Sequence, residues 1–336
     1  MNVTVSPAGH HHPAPGPAEA SGETARVICF PEPGRIALAQ ASLRVAGADE
    51  VVVETRYSSI SADTERLLFG GDLPGFPHLR FPLVPGYEAA GIVSAVGKDV
   101  RDVRVGDEVF VGGGMCFTDI ASAFGGQSST LIKRAAQVVP LHGVPLQRAP
   151  LLALAATALH GVNRLGTVAG KRIGVLGLGA VGQCAARFLA ARGAHVISAD
   201  LRAERLAAAP GEHIDLNETA FEDAAHDLDA VIEATGRSEE IARCARAVRS
   251  GGSIVLLSYY DELVTPYVDL FVKEVSLVVA REWAHVDLLA ARDALASGLV
   301  DPGPLAANVF AVDDFERAYR IAFGDPSVLK VILAWV

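Results

Sequence analysis

Apolar and polar positions along the chain change rhythm twice. Between residue 25 and about residue 140 the apolar runs are short and strand-like: residues 26–30, 50–57, 89–96 and 107–111, with Gly and Pro between them at intervals that fit a compact antiparallel barrel. From about Leu151 the rhythm becomes Ala-rich helical stretches alternating with apolar strands at residues 173–176, 195–199, 230–234, 253–258 and 276–280. That alternation predicts right-handed crossovers and a doubly wound parallel sheet with helices on both faces. Beyond about Pro304 the pattern gives a strand near residues 309–312, a helix over 314–323 and a terminal strand over 328–335. This last piece is too short to be a domain, so it is expected to return and complete the barrel. The plan is an α/β chain with a tail over 1–24, a barrel domain over 25–150 completed by 306–336, and a parallel-sheet domain over 151–305.

The tail, rich in Pro, Ala, Gly and Ser, has no periodic apolar face to offset the entropy of ordering. His10, His11 and His12 within it have no fixed scaffold and read as solvated. The remainder is globular in composition: of 336 residues 50% are hydrophobic and 20% charged. A net charge of −10 argues against nucleic acid or an anionic membrane surface as partner. Without a signal peptide or a long uncharged apolar run, a cytoplasmic protein is expected. The four cysteines, Cys29, Cys116, Cys184 and Cys244, show no CxxC spacing. They predict free, buried thiols, with neither a disulfide framework nor a zinc knuckle.

One stretch carries chemistry of its own. Gly177-Leu178-Gly179-Ala180-Val181-Gly182 follows a strand and opens a helix, and Asp200 ends the next strand. A dinucleotide-binding βαβ unit needs this order. Gly177 permits the tight turn, Gly179 leaves room for a pyrophosphate, and Gly182 lets helix and strand pack closely. The N–H groups of the turn and first helical turn are expected to face the phosphates. Asp200 should accept from the adenosine ribose and favours NAD, because it repels a 2′-phosphate. Arg202 and Arg205 either swing onto such a phosphate, which keeps NADP open, or are solvated helix-start residues. Thr235, Gly236, Ser258 and Tyr259 end successive strands on the side where the nucleotide crevice must lie, with Tyr260 and Trp283 expected near the substrate mouth. Trp283 also reads as a core or subunit-contact residue.

Other blocks carry a resemblance. Residues 86–93 (GYEAAGIV), 105–109 (VGDEV) and 234–236 (ATG) are similar to the medium-chain dehydrogenase/reductase superfamily, which joins a GroES-like barrel to a Rossmann domain. Residues 58–68, 81–88, 124–126, 151–157 and 319–326 resemble, within it, the bacteriochlorophyllide a dehydrogenase family, and the similarity runs from about residue 26 to the end. The chain departs from that family in Ala62-Asp63 where Thr-Gly is usual, in a fuller glycine fingerprint and in its N-terminal extension.

The resemblance implies site residues. Zinc-dependent members place ligands where this chain has Ser61, Tyr87 and Ala153, and the four-cysteine lobe of their structural zinc is missing. A hydroxyl, a phenol and a methyl group cannot form a three-ligand zinc site, so a zinc-independent enzyme is expected. Charge on a carbonyl oxygen must then be met by hydrogen-bond donors. Tyr87 is the first candidate, the alternative being a packed ring with its hydroxyl capped. Asp63 stands where zinc relatives carry a proton-relay hydroxyl, and otherwise caps a loop. His160 follows Thr157 in the segment that lines the nicotinamide face in relatives, and either relays protons or is an ordinary helix residue. Glu65 and Arg66 either orient a polar substrate or pair with each other, and Glu88 supports the site from behind. The implied function is an NAD(P)-dependent oxidoreductase interconverting a secondary alcohol and a ketone on a ring-bearing metabolite, such as the hydroxyethyl side chain of a bacteriochlorophyllide. The alternatives are a ketone reductase tailoring a sugar or aminocyclitol natural product, an enone or quinone reductase, and a silent nucleotide-binding protein. A small molecule is the expected partner, and a homodimer formed at the sheet edge near residues 276–280 the expected assembly.

Overall fold

The computed structural model describes residues 20–73, 79–260 and 262–335. Most of residues 1–24, including His10 to His12, lie outside them. The first lobe begins with β1 (Ala20–Cys29) paired antiparallel to β2 (Ala37–Arg44). Residues 20–24 therefore belong to a strand and not to the tail. The side chains of residues 21–24 are exposed, so no apolar pattern marks them, and the ladder to β2 with a Ser21 Oγ bond to Leu43 O (3.1 Å) orders them. The main sheet of this lobe holds β3 (Glu50–Ile60), β5 (Ala89–Val96), β6 (Glu108–Val111), β8 (Thr130–Arg134) and β9 (Val138–Pro140). The short pair β4 (Leu83–Val84) and β7 (Ala121–Ser122) flanks it.

The C-terminal segment closes this sheet. Here β16 (Asn308–Ala311) and α9 (Phe315–Gly324) lead to β17 (Val331–Ala334), which runs antiparallel to β3 with Val331 opposite Ile60. Between β3 and β4 lies α1 (Ala62–Gly70). Its first turn carries Asp63 and Glu65, where carboxylates suit the helix dipole, and it stops at Gly71, whose φ of 85° places it in the left-handed region.

The second lobe is a six-stranded parallel sheet in the order β12-β11-β10-β13-β14-β15. Its strands are β10 (Arg172–Leu176), β11 (His195–Asp200), β12 (Glu212–Asp215), β13 (Leu228–Glu233), β14 (Val248–Leu256) and β15 (Ser276–Val279). The long helices are α2 (Leu152–Asn163), α3 (Ala180–Ala191), α6 (Ser238–Ala247) and α8 (His285–Ala296). The short ones are α4 (Ala203–Ala208), α5 (Phe221–Ala224) and α7 (Tyr267–Val272). Strand order reverses between β10 and β13, and register sets Leu176 beside both Ala199 and Glu233, and Glu233 beside Leu256. The loops after these strands thus open at one level, into one crevice.

Helix α2 joins the lobes. Nine of its twelve positions are buried, because a run of Leu and Ala is apolar on nearly every face. One apolar cluster passes from Phe110 and Val139 of the barrel through α2 to Val175, Ile232 and Val255 of the parallel sheet. Among the described residues no helix is long and apolar enough to cross a membrane.

Candidate active site

A cleft of about 800 Å³ runs between the lobes. The parallel sheet contributes Gly177, Gly179, Ala180, Val181, Asp200, Arg202, Arg205, Thr235 and Ser258 to its walls. The barrel contributes Ser61, Asp63, Arg66 and a stretch of residues 322–331 that includes Lys330.

The glycine turn is shaped by contacts that a side chain would destroy. Gly177 has φ 91°, and a Cβ there would sit 2.8 Å from Thr235 Cγ2. A Cβ on Gly182 would lie 2.0 Å from Gly177 O, so strand end and helix α3 touch backbone to backbone. A Cβ on Gly179 would meet nothing within 4 Å and would project into open space at the start of α3. Leu178 differs from its sequence expectation. Its N–H donates to Asp200 Oδ2 at 2.7 Å and its side chain is buried, so that N–H points sideways to the next strand and not into the cleft. Asp200 Oδ1 accepts from Arg202 N at 2.9 Å, and Arg205 Nη1 stands 3.6 Å from Oδ2. Arg205 also donates to Pro326 O at 2.8 Å, tying α4 to the C-terminal wall. It is not a solvated residue free to swing.

On the opposite wall, Ser61 Oγ and Tyr87 OH lie 2.5 Å apart, and Thr64 Oγ1 is 3.2 Å from the same phenol. Burial, and then the charge of Glu88, push the Tyr87 phenol well above its ordinary value, so it stays a protonated donor. Its ring packs edge-on against Phe124 at 5.1 Å and meets Trp283 at 6.1 Å. Of the two, Ser61 is among the residues that line the cleft, and Tyr87 is half-buried beside it. The sequence reading took Tyr87 as first donor; the structure sets the Ser61 hydroxyl beside it.

Four residues proposed from sequence sit elsewhere. Glu65 is sealed under α1, because the helical repeat that turns Glu65 and Leu68 inward turns Asp63 and Arg66 out. It accepts from Ser61 N (3.0 Å), Gln127 Nε2 (3.2 Å) and Tyr319 OH (2.5 Å), and burial pushes its carboxyl up to about 7. It does not pair with Arg66, whose guanidinium donates to Phe323 O at 2.7 Å and lies over the Phe323 ring. His160 points at α8, where Nδ1 meets Asp287 Oδ2 at 2.8 Å; Asn163 holds the other oxygen of Asp287. Thr157 Oγ1 donates back along α2 to Ala153 O at 2.9 Å. Neither His160 nor Thr157 is among the residues lining the cleft. Tyr260, expected at the mouth, turns its hydroxyl under the sheet to Glu233 Oε2, while Tyr259 is exposed beside Ser258.

Two buried carboxylates complete the surroundings. Glu88 Oε2 accepts from Ser59 Oγ and pairs with Lys330 Nζ at 2.6 Å, while its Oε1 is buried with no partner among the described residues. Glu233 closes β13; its Oε1 accepts from Thr235 N (2.8 Å) and Thr235 Oγ1, and burial pushes it up to about 7. Lys330 and Glu233 escaped the sequence reading, since one looks like a terminal-strand lysine and the other like a strand end.

A Rossmann sheet with this glycine turn and acidic strand end, docked on a barrel that the C-terminus completes, defines an alcohol dehydrogenase-like oxidoreductase that uses NAD(P). Residues 47–143 match the alcohol dehydrogenase GroES-like domain and residues 166–261 an NAD(P)-binding family. The 2-desacetyl-2-hydroxyethyl bacteriochlorophyllide A dehydrogenase of Cereibacter sphaeroides is 35% identical, over 90% of this chain and 96% of its own. The protein of the same name from Rhodobacter capsulatus is 34% identical, over 92% and 98%. In fold, the chain superposes with a TM-score of 0.85 on an oxidoreductase/dehydrogenase of unknown specificity from Escherichia coli, at 18% identity, covering 93% of this chain and 99% of that one. The chain belongs to the medium-chain dehydrogenase/reductase superfamily, in the family of the bacteriochlorophyllide a dehydrogenases.

Proposed function

We propose that the chain is a cytoplasmic, zinc-independent oxidoreductase that prefers NAD and interconverts a secondary alcohol and a ketone on a ring-bearing metabolite. The observation that carries this reading is the Ser61–Tyr87 hydroxyl pair, set across the cleft from the glycine turn. When bound, the nicotinamide supplies or accepts the hydride. Gly179 leaves the passage for the pyrophosphate, the N-terminus of α3 attracts its charge, and Asp200 takes the adenosine ribose. Both oxygens of Asp200 are already set by backbone N–H groups, which orients the carboxylate and disfavours a 2′-phosphate. Ser61 Oγ donates to the substrate oxygen, and the Tyr87 phenol donates to Ser61 in turn. Asp63, exposed on the cleft wall, exchanges the proton with solvent.

The residues present do not fit a catalytic zinc. A phenol held in its protonated form and a serine hydroxyl are poor ligands beside thiolate and imidazole, and among the described residues no three His, Cys, Asp or Glu side chains converge. Turnover should therefore survive a chelator, and recovery of lost activity by added zinc would refute the reading.

Two substrate classes follow. The named relatives support a chlorin carrying a hydroxyethyl group. The exposed Asp63 and Arg66 favour a smaller polar ring ketone, such as a sugar or aminocyclitol. Incubation with NADH or NADPH and each class, with product analysis, separates these from enone reduction and from a silent nucleotide-binding protein.

We also propose a homodimer through β15, the open edge of the parallel sheet. Val279 on that strand and Tyr267, Phe271 and Val272 of the neighbouring α7 are all more than half exposed.

A further inference from the structure

We propose that Glu233 is a positioning residue that holds the two loops flanking the nucleotide crossing, residues 235–236 after β13 and 258–260 after β14, against the glycine turn. This rests on the reading that a nicotinamide nucleotide lies in the cleft. Glu233 has 0% exposure, and the strand positions before it, Val231 and Ile232, are aliphatic, which is the ordinary solution for a central parallel strand. A carboxylate in that place is costly unless its acceptors are met. Here the donors come from the loops that follow β13 and β14, and one of them, Thr235, lines the cleft. Thr235 supplies its N–H and hydroxyl to Oε1, and Tyr260 supplies its phenol to Oε2.

The held loops reach the cleft through Thr235 and Ser258, which line it. Thr235 packs its methyl on the Gly177 turn, where a Cβ would come within 2.8 Å of it. Gly236, at φ 74°, lies so close to the next loop that a Cβ would stand 3.3 Å from Tyr259 O. Three strand ends, β10, β13 and β14, are thus drawn together around one carboxyl. The titratable groups facing it are Glu240 and Cys244 of α6 and the Tyr260 phenol; Glu240 is itself buried and paired with Arg243 at 3.4 Å. Protonation of Glu233 puts a hydrogen on an oxygen that donors already approach, so the grip loosens as pH falls through its range.

The test is NADH binding, followed by fluorescence on the full chain between about pH 6 and pH 8.5, for wild type and the variants Glu233→Ala, Glu233→Gln and Tyr260→Phe, with thermal melts alongside. Glu233→Ala should weaken NADH about tenfold or more, while Glu233→Gln, which keeps an acceptor for Thr235 and a donor for Tyr260, should stay within about threefold. Wild type should fall to the Gln level on acidification, and the Gln variant should show no such step. Tyr260→Phe should weaken NADH about threefold or more while the chain still folds, with a lower melting temperature because Glu233 loses a donor. Undiminished binding in Glu233→Ala overturns the inference, as does a Gln variant as weak as Ala. Should the Ala variant fail to fold, unchanged binding in Tyr260→Phe overturns it. A wild-type chain that binds neither NADH nor NADPH brings down the reading of the cleft itself, and this inference with it; full binding that the variants leave untouched brings down the inference alone.

Discussion

Ser61 and Glu65 are four residues apart and have opposite fates. Ser61 stands between β3 and α1 with its hydroxyl on the cleft, paired with a phenol that burial keeps protonated. Removing one preorganised donor to a developing oxyanion costs roughly 10²–10³ in rate. Ser61→Ala should therefore lower kcat by about that factor while NADH binding is unchanged, and Tyr87→Phe should cost about tenfold, because it removes only the donor behind. Steady-state kinetics beside a binding titration checks both. Glu65 acts on stability instead. Its folded carboxyl titrates at about 7 against an ordinary value of 4.5, so the folded chain holds the proton more tightly than the unfolded chain does. Stability should then rise as pH falls from about 8 to about 5, by on the order of 2 kcal/mol, with Glu233 acting in the same sense. Urea midpoints at the two ends measure it, and Glu65→Gln should flatten the dependence. The residue types at the site were legible in sequence, but not their directions. Which of Tyr87 and Ser61 meets the cleft, and that His160 belongs to Asp287, depends on partners more than 20 residues away in sequence for the first and 127 for the second.

The elements were the most legible level, because their periods are local. The strands of the parallel sheet fall where apolar runs alternate with Ala-rich helices, and β3, β5 and β6 where Val-rich runs stand between glycines. What stayed hidden has physical reasons. The first residues of β1 are exposed and held by backbone pairing, and β8 and β12 are too short and mixed to show a period. The inward face of α1 is marked by a buried Glu, which reads as solvent-facing until Tyr319 and Gln127 are known to meet it. The glycine turn makes its own prediction. Gly179→Val meets open space, so melting should change little, yet NADH affinity should fall about tenfold or more, because the side chain fills the passage. Gly182→Val strikes the backbone of Gly177 and should destabilise the fold by several kcal/mol, roughly the scale of a severe core clash. Paired melts and titrations separate the two.

At the scale of the whole molecule, α2 and the C-terminal segment decide the shape of the cleft. Helix α2 shares one apolar cluster with both lobes, and Lys330 reaches from the segment before β17 to the buried Glu88, tying the cleft wall to the start of β5. The same segment meets α4 through Arg205 and Pro326. The open edge at β15 should be covered by a second copy: light scattering is expected to give a dimer, and Val279→Lys, which sets a charge on the exposed edge, should give monomers without loss of helix or strand content. The central claim is that hydride exchange in this cleft is steadied by side-chain donors. Its most direct test is the nicotinamide-dependent turnover of whichever substrate class the chain accepts, before and after the protein is stripped with a chelator. An unchanged rate in the stripped protein is expected, and a rate that collapses and returns with one zinc per chain would contradict it.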